Sequence, residues 1–169
     1  MGPHARLSRL AGLCLTLTLL VPARVGSGVR DTRIDVVTAP TPPAIALDRA
    51  TLRDIFLKRI VIDNAGKALV PLNLAPDDPL RAAFSQALLG KAPDALQRFW
   101  NERYFQGVSP PYVVRSQEAM LRFIAETPGA IGYVAQCWAD DRVRVVAELP
   151  VPSDLVPGIE ALCPKSPRP

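Results

Sequence analysis

The apolar residues between Arg33 and Ala147 fall into two alternating kinds of spacing. Short runs rich in β-branched residues predict strands, and i, i+3, i+4 recurrences predict helices. Arg33–Thr38 carries Ile34, Val36 and Val37 and predicts a first strand, stopped by Ala39–Pro43. Leu52, Ile55 and Phe56 predict a helix that Asp48 can cap. Ile60–Ile62 and Leu69–Leu72 are β-like runs around the turn signal Asp63-Asn64-Ala65-Gly66. The second run is the better strand; it leads to Asn73 and breaks at Pro76.

Asp77 or Asp78 then caps a helix with Pro79 in its first turn and Leu80, Phe84, Ala87 and Leu88 as its buried stripe, closed by Gly90. Pro93 opens another helix with Leu96, Phe99, Trp100 and Tyr104 on one face, read as core rather than as a cofactor box. Gly107 and Pro110-Pro111 interrupt, and Tyr112–Val114 predicts a short strand. Ser116 caps a helix that turns Met120, Phe123 and Ile124 inward. Pro128 and Gly129 stop that helix, and Ala130–Val134 is an apolar strand for the core. Gly132 inside it predicts the close approach of another backbone or a ligand. Asp140-Asp141 reads as a turn rather than a catalytic carboxylate pair, and Val143–Ala147 as the last strand. From Leu149 the Pro-rich chain is expected to be irregular. Strands alternating with helices predict an α/β domain whose mixed, mostly parallel sheet is flanked by helices.

The N-terminus changes the picture of charge. Met1–Arg9 is basic, Leu10–Val21 is apolar, and Pro22–Gly28 is small and turn-forming, the three regions of a signal peptide. A membrane span needs about 20 apolar residues, more than this run supplies. Cleavage is expected near Ser27, with Val25 and Ser27 as the small residues; Cys14, inside the run, does not suit lipid attachment. The expected organisation is therefore a signal peptide at 1–27, one domain at 28–148 and a Pro-rich tail at 149–169, in a periplasmic protein. The formal charge of +4 falls to +1 without Arg6, Arg9 and Arg24, because the segment holds no acid. A near-neutral chain has no electrostatic footprint for nucleic acid.

The sole histidine, His4, lies in the same segment. Ser-His-Asp and Cys-His catalysis and the usual histidine metal sites are therefore not expected after cleavage. Cys137 and Cys163 remain as an even pair in an oxidising compartment. They read as a structural disulfide pinning the tail, rather than as a redox or metal pair, since no other ligand type lies nearby. No catalytic residue, metal site or cofactor is expected.

Several pieces taken in order carry a resemblance. They are Leu52-Arg53-Asp54-Ile55-Phe56-Leu57, Pro71-Leu72-Asn73, Pro79-Leu80-Arg81-Ala82-Ala83-Phe84, Leu89-Gly90-Lys91 and Phe99-Trp100. Phe105-Gln106-Gly107, Pro110-Pro111 and Pro128-Gly129-Ala130-Ile131-Gly132-Tyr133-Val134 continue the series. Over Ile34–Val134 the chain resembles the periplasmic phosphate-binding-protein-like family, specifically its small single-lobe members. The resemblance implies a single lobe of the type II periplasmic-binding-protein fold. Full-length members clamp phosphate between two lobes and deliver it to an ABC transporter; this chain is too short to form that clamp alone.

The chain departs from the family twice. Where phosphate binders carry a Ser-Gly-Thr-type loop at a helix N-terminus, this sequence reads Ala75-Pro76-Asp77-Asp78-Pro79. Two prolines remove donors and two carboxylates sit where an anion would be held. Lys58 stands where such proteins often have glycine after the Ile-Phe-Leu motif, which removes a flexible turn and alters the following hairpin. The expected function is a non-enzymatic, exported solute-binding-like protein without phosphate binding of the transporter type. The alternative is a periplasmic interaction or signalling module that kept the fold and lost the ligand. Asn73, Arg81, Arg115 and Ser116 are the candidate ligand-binding residues. Expected partners are a small anion or other small solute, and an ABC transporter or another periplasmic or membrane protein.

Overall fold

A computed structural model describes residues 1–2 and 32–163. The expected signal peptide and its cleavage positions lie outside the described residues, apart from the first two. The element order is β1 (Arg33–Thr38), α1 (Arg49–Phe56), β2 (Val70–Asn73), α2 (Pro79–Phe84), α3 (Pro93–Tyr104), β3 (Tyr112–Val113), α4 (Gln117–Glu126), β4 (Ala130–Ala135), β5 (Arg144–Pro150) and α5 (Val156–Glu160). The five strands form one mixed sheet in the order β3-β2-β4-β1-β5. β2 runs parallel to β3 and β4, whereas β1 is antiparallel to β4 and to β5. No helix among the described residues is long and apolar enough to cross a membrane.

Adjacent residues of β4 show how the sheet is covered. Tyr133 points to one face, where its ring stacks on Phe84 at 3.7 Å and lies 6.2 Å from Phe56. Those partners come from α2 and α1. Gly132 points to the other face, where α4 packs. A Cβ at Gly132 would overlap Met120 Sδ and lie 2.8 Å from Ile124 Cδ1. The close approach predicted at Gly132 is thus made by helix side chains, not by a backbone or a ligand. The backbone approach occurs at Gly129, where φ is +79° and a Cβ would overlap the Ala68 carbonyl.

Local signals act largely as the sequence reads them. Asp48 Oδ1 accepts the Thr51 N–H at 2.8 Å and starts α1, and Asp78, not Asp77, caps α2 with Pro79 in first position. α2 continues as a π-helical turn, Ser85–Leu89, and stops at Gly90 with φ +63°. Asp63 makes the turn between α1 and β2. Its carboxylate accepts the N–H groups of Ala44, Ala65 and Lys67 at 2.8–2.9 Å, which holds its pKa below the usual carboxylate range.

Several expectations are corrected. Ile60–Ile62 is not a strand but contributes one bridge, Ile62 to Ala68. In α3 Leu96 and Trp100 are buried, but Tyr104 is 67% exposed, because the helix overruns the core by a turn. In α4 the buried stripe is Gln117, Met120, Leu121 and Ile124, which leaves Phe123 at its margin. β5 extends to Pro150, where an edge strand tolerates a missing N–H. The boundary expected at 148 therefore falls inside a strand. The described part of the tail, residues 149–163, is not irregular: α5 follows, Ile159 is fully buried, and Cys137 is bonded to Cys163.

Candidate functional site

Because β2, β3 and β4 are parallel, their carboxyl ends open on one edge of the sheet, where α/β folds place ligands. Three of the four predicted site residues sit directly on this edge: Asn73 ends β2, and Arg115 and Ser116 form the β3–α4 turn. Arg81, in α2, reaches back to it. Its Nη1 donates to the Leu74 carbonyl at 2.7 Å and braces the loop after β2.

Asn73 belongs to a buried cluster. Its Oδ1 accepts from the Tyr133 hydroxyl, and that hydroxyl accepts the Leu74 N–H at 3.2 Å. Complete burial drives the Tyr133 phenol well above its ordinary pKa, so it is a fixed neutral donor. Tyr133 was read from the sequence only as part of an apolar strand. The signal that could have found it is chemical: a buried tyrosine hydroxyl needs a partner.

The start of α2 has no backbone donor to offer between Asp78 and Ala82. Pro76 and Pro79 lack N–H groups. The Asp78 N–H is accepted by the Ala75 carbonyl, and the Leu80 N–H by Asp78 Oδ1 at 2.8 Å. The N–H groups of Arg81 and Ala82 return to the Asp78 carbonyl. Every N–H from Asp78 to Ala82 is therefore absent or already accepted. An anion arriving there meets the Asp77 and Asp78 carboxylates instead.

The start of α4 is also occupied in part. Ser116 Oγ accepts the Ala119 N–H at 3.1 Å, so Ser116 acts as a cap. Gln117 turns inward and accepts the Ala135 N–H at 2.7 Å, tying α4 to the end of β4. Glu118 and Asp140 both bind Arg142, whose guanidinium they hold firmly charged. The carboxylate at Asp140 thus serves the turn before β5. Arg115 is exposed and has no hydrogen bond among the described residues.

At the opposite edge, near the starts of β2 and β4, lies a hollow of about 620 Å³ walled by Pro40–Pro43, Lys67 and Glu126. Its one buried acid, Asp63, already accepts three backbone N–H groups. No group of three or more metal-ligating side chains occurs among the described residues.

No family model matches the chain, and no curated protein matches it. Solved structures do. One is a putative phosphate ABC transporter substrate-binding protein with bound phosphate from Clostridium perfringens, 18% identical with a TM-score of 0.55, matched over 68% of this chain and 44% of that one. Another is an ABC-type phosphate transport receptor from Vibrio cholerae, 14% identical with a TM-score of 0.54, over 78% of this chain and 62% of that one. A third is PstS from Borrelia burgdorferi, 14% identical with a TM-score of 0.51, over 69% of this chain and 47% of that one. The chain has the fold of a single lobe of a periplasmic-binding-protein-like protein. It spans less than two thirds of the length of each of these structures, and at such identities the likeness is one of fold.

Proposed function

We propose that this chain is an exported, non-enzymatic solute-binding-like protein that shares a lobe fold with phosphate receptors but does not hold phosphate as they do. One observation carries the negative half: the start of α2 has no backbone donor free between Asp78 and Ala82. The fold neighbours support the positive half, since those proteins are described as substrate-binding proteins and transport receptors of phosphate ABC transporters.

A solute would meet the carboxyl edge through Asn73, Arg115 and Ser116, with Arg81 as the brace behind the loop. An ABC transporter or another periplasmic or membrane protein is the partner this reading implies. A second reading, an interaction module that has lost its ligand, is favoured by one feature. The edge strand β3 leaves Tyr112 and Val113 at 66% and 52% exposure. Such apolar exposure on an edge suits protein contact.

Thermal shift of the protein against phosphate, sulfate and a panel of small solutes separates the two. A saturable stabilisation by one solute, abolished by Arg115→Ala, supports the solute-binding reading. No shift across the panel, with capture of a defined protein partner lost on Tyr112→Ser, supports the second. Equal stabilisation of the protein and of Arg115→Ala by phosphate contradicts the assignment of the edge.

A further inference from the structure

The segment after β5 is a strap laid back on the domain. Val151, Leu155, Ile159 and Leu162 recur at near-helical spacing, and all four pack against the core, with Ile159 fully buried. α5 lies against α2, with Gly158 facing Pro79. Among the described residues, three fastenings hold the strap's far end close to the chain following β4. Trp138 Nε1 donates to the Leu162 carbonyl at 2.8 Å, Thr32 Oγ1 donates to Glu160 at 3.1 Å, and Cys163 is bonded to Cys137.

These fastenings are unequal. A five-residue helix such as α5 is too short to hold itself. Only one of the four apolar side chains is fully covered, and the two hydrogen bonds are not covalent. The covalent bond is therefore the strongest constraint at that end. It is also reachable, because Cys137 is exposed and Cys163 only half-buried. Behind it, β1 and β4 lie inside the sheet, and their ladder does not pass through the strap.

We infer that Cys137–Cys163 is a redox latch: its reduction releases the strap over residues 151–163 and bares the face of α2 it covers, while the domain stays folded. The inference does not depend on the proposed function. The reaction needs a dithiol reductant. A thiolate of the dithiol attacks Sγ of Cys137, the Cys137–Cys163 bond breaks, and Cys163 leaves as a thiolate that takes up a proton. The reagent's second thiol then attacks the mixed disulfide, closes the reagent's own disulfide and releases Cys137, which is protonated in turn. Two electrons pass to the cysteines, and the dithiol is oxidised.

Hydrogen exchange of the full chain, oxidised and then treated with dithiothreitol, tests the latch, with alkylation reporting how far the bond is reduced. The amides of Leu155, Ile159, Ala161, Leu162 and Cys163 are all bonded within the strap and serve as reporters. Closing a loop of this size constrains the open chain by a factor of about 400. Exchange at these amides should therefore quicken up to about 400-fold on reduction and return on reoxidation, with β1 and β4 unchanged. The Cys137→Ser, Cys163→Ser double variant should match the reduced protein. Unchanged strap protection after reduction overturns the inference, as does equal loss in β1 and β4, or a bond that dithiothreitol does not reduce.

Discussion

The Tyr133 hydroxyl donates to Asn73 Oδ1 and accepts the Leu74 N–H, so one side chain from β4 fixes the end of β2. Tyr133→Phe keeps the ring stacked on Phe84 and removes only this link. It leaves a buried amide oxygen and a backbone N–H unpaired, at a cost of about 1–3 kcal/mol. Urea unfolding of the two proteins measures the difference; a loss below about 0.3 kcal/mol would show that the link does not hold the edge.

Asp35 gives the domain a stability that depends on pH. It is 4% exposed, one carboxylate oxygen has no partner among the described residues, and Glu148 lies directly across on β5. Burial first, then the Glu148 charge, push its pKa up from 3.8 to about 6, against a partly offsetting Arg33. A raised folded-state value means full stability below the unfolded value and loss as pH rises through the folded one. The domain should therefore lose up to about 3 kcal/mol from this group between pH 4 and pH 6. Asp35→Asn should remove that fall, read as the difference between the two stability profiles. Parallel profiles from pH 4 to pH 7 would contradict the assignment.

Lys58 closes α1 in the backbone conformation that glycine prefers, with φ +56°. The Arg59 N–H reaches the Asp54 carbonyl at 2.8 Å and the Lys58 N–H reaches Ile55 at 3.0 Å, a complete Schellman ending. The turn that a lysine was expected to remove is kept, and Lys58 lies 6.0 Å from the Tyr112 ring centre with its pKa lowered by burial. Relief of the left-handed strain outweighs that contact, so Lys58→Gly should stabilise by up to about 1 kcal/mol and Lys58→Val should destabilise. A lower melting temperature for Lys58→Gly would show that the Tyr112 contact dominates.

How much the sequence reveals follows from the range of each signal. Caps at Asp48 and Ser116 are local and read correctly, as is the stop at Gly90, whereas the cap of α2 is legible only as Asp77 or Asp78. Tyr104 and Phe123 keep helical spacing, but which end of a helix overhangs the core is decided by tertiary packing. The strap is hidden for the same reason: prolines at 150, 152 and 157 look like irregular chain until β1 supplies β5 with a partner. At the site, the donor-poor loop before α2 is legible because prolines and carboxylates act on their own backbone. The Tyr133–Asn73 bond is not legible, because it joins positions sixty residues apart.

Export is a further expectation from the first 27 residues. Mass spectrometry of protein recovered from the periplasm should find an N-terminus between Ala23 and Arg30. Intact Met1–Pro169 in the membrane fraction would contradict cleavage.

The central claim is that the fold is shared with phosphate receptors and their mode of phosphate binding is not. Titration calorimetry of the purified protein lacking residues 1–27 with inorganic phosphate tests it most directly. With no backbone donor free from Asp78 to Ala82 and two carboxylates beside them, we expect no constant tighter than about 1 mM, roughly −4 kcal/mol. A saturable micromolar constant would contradict the account.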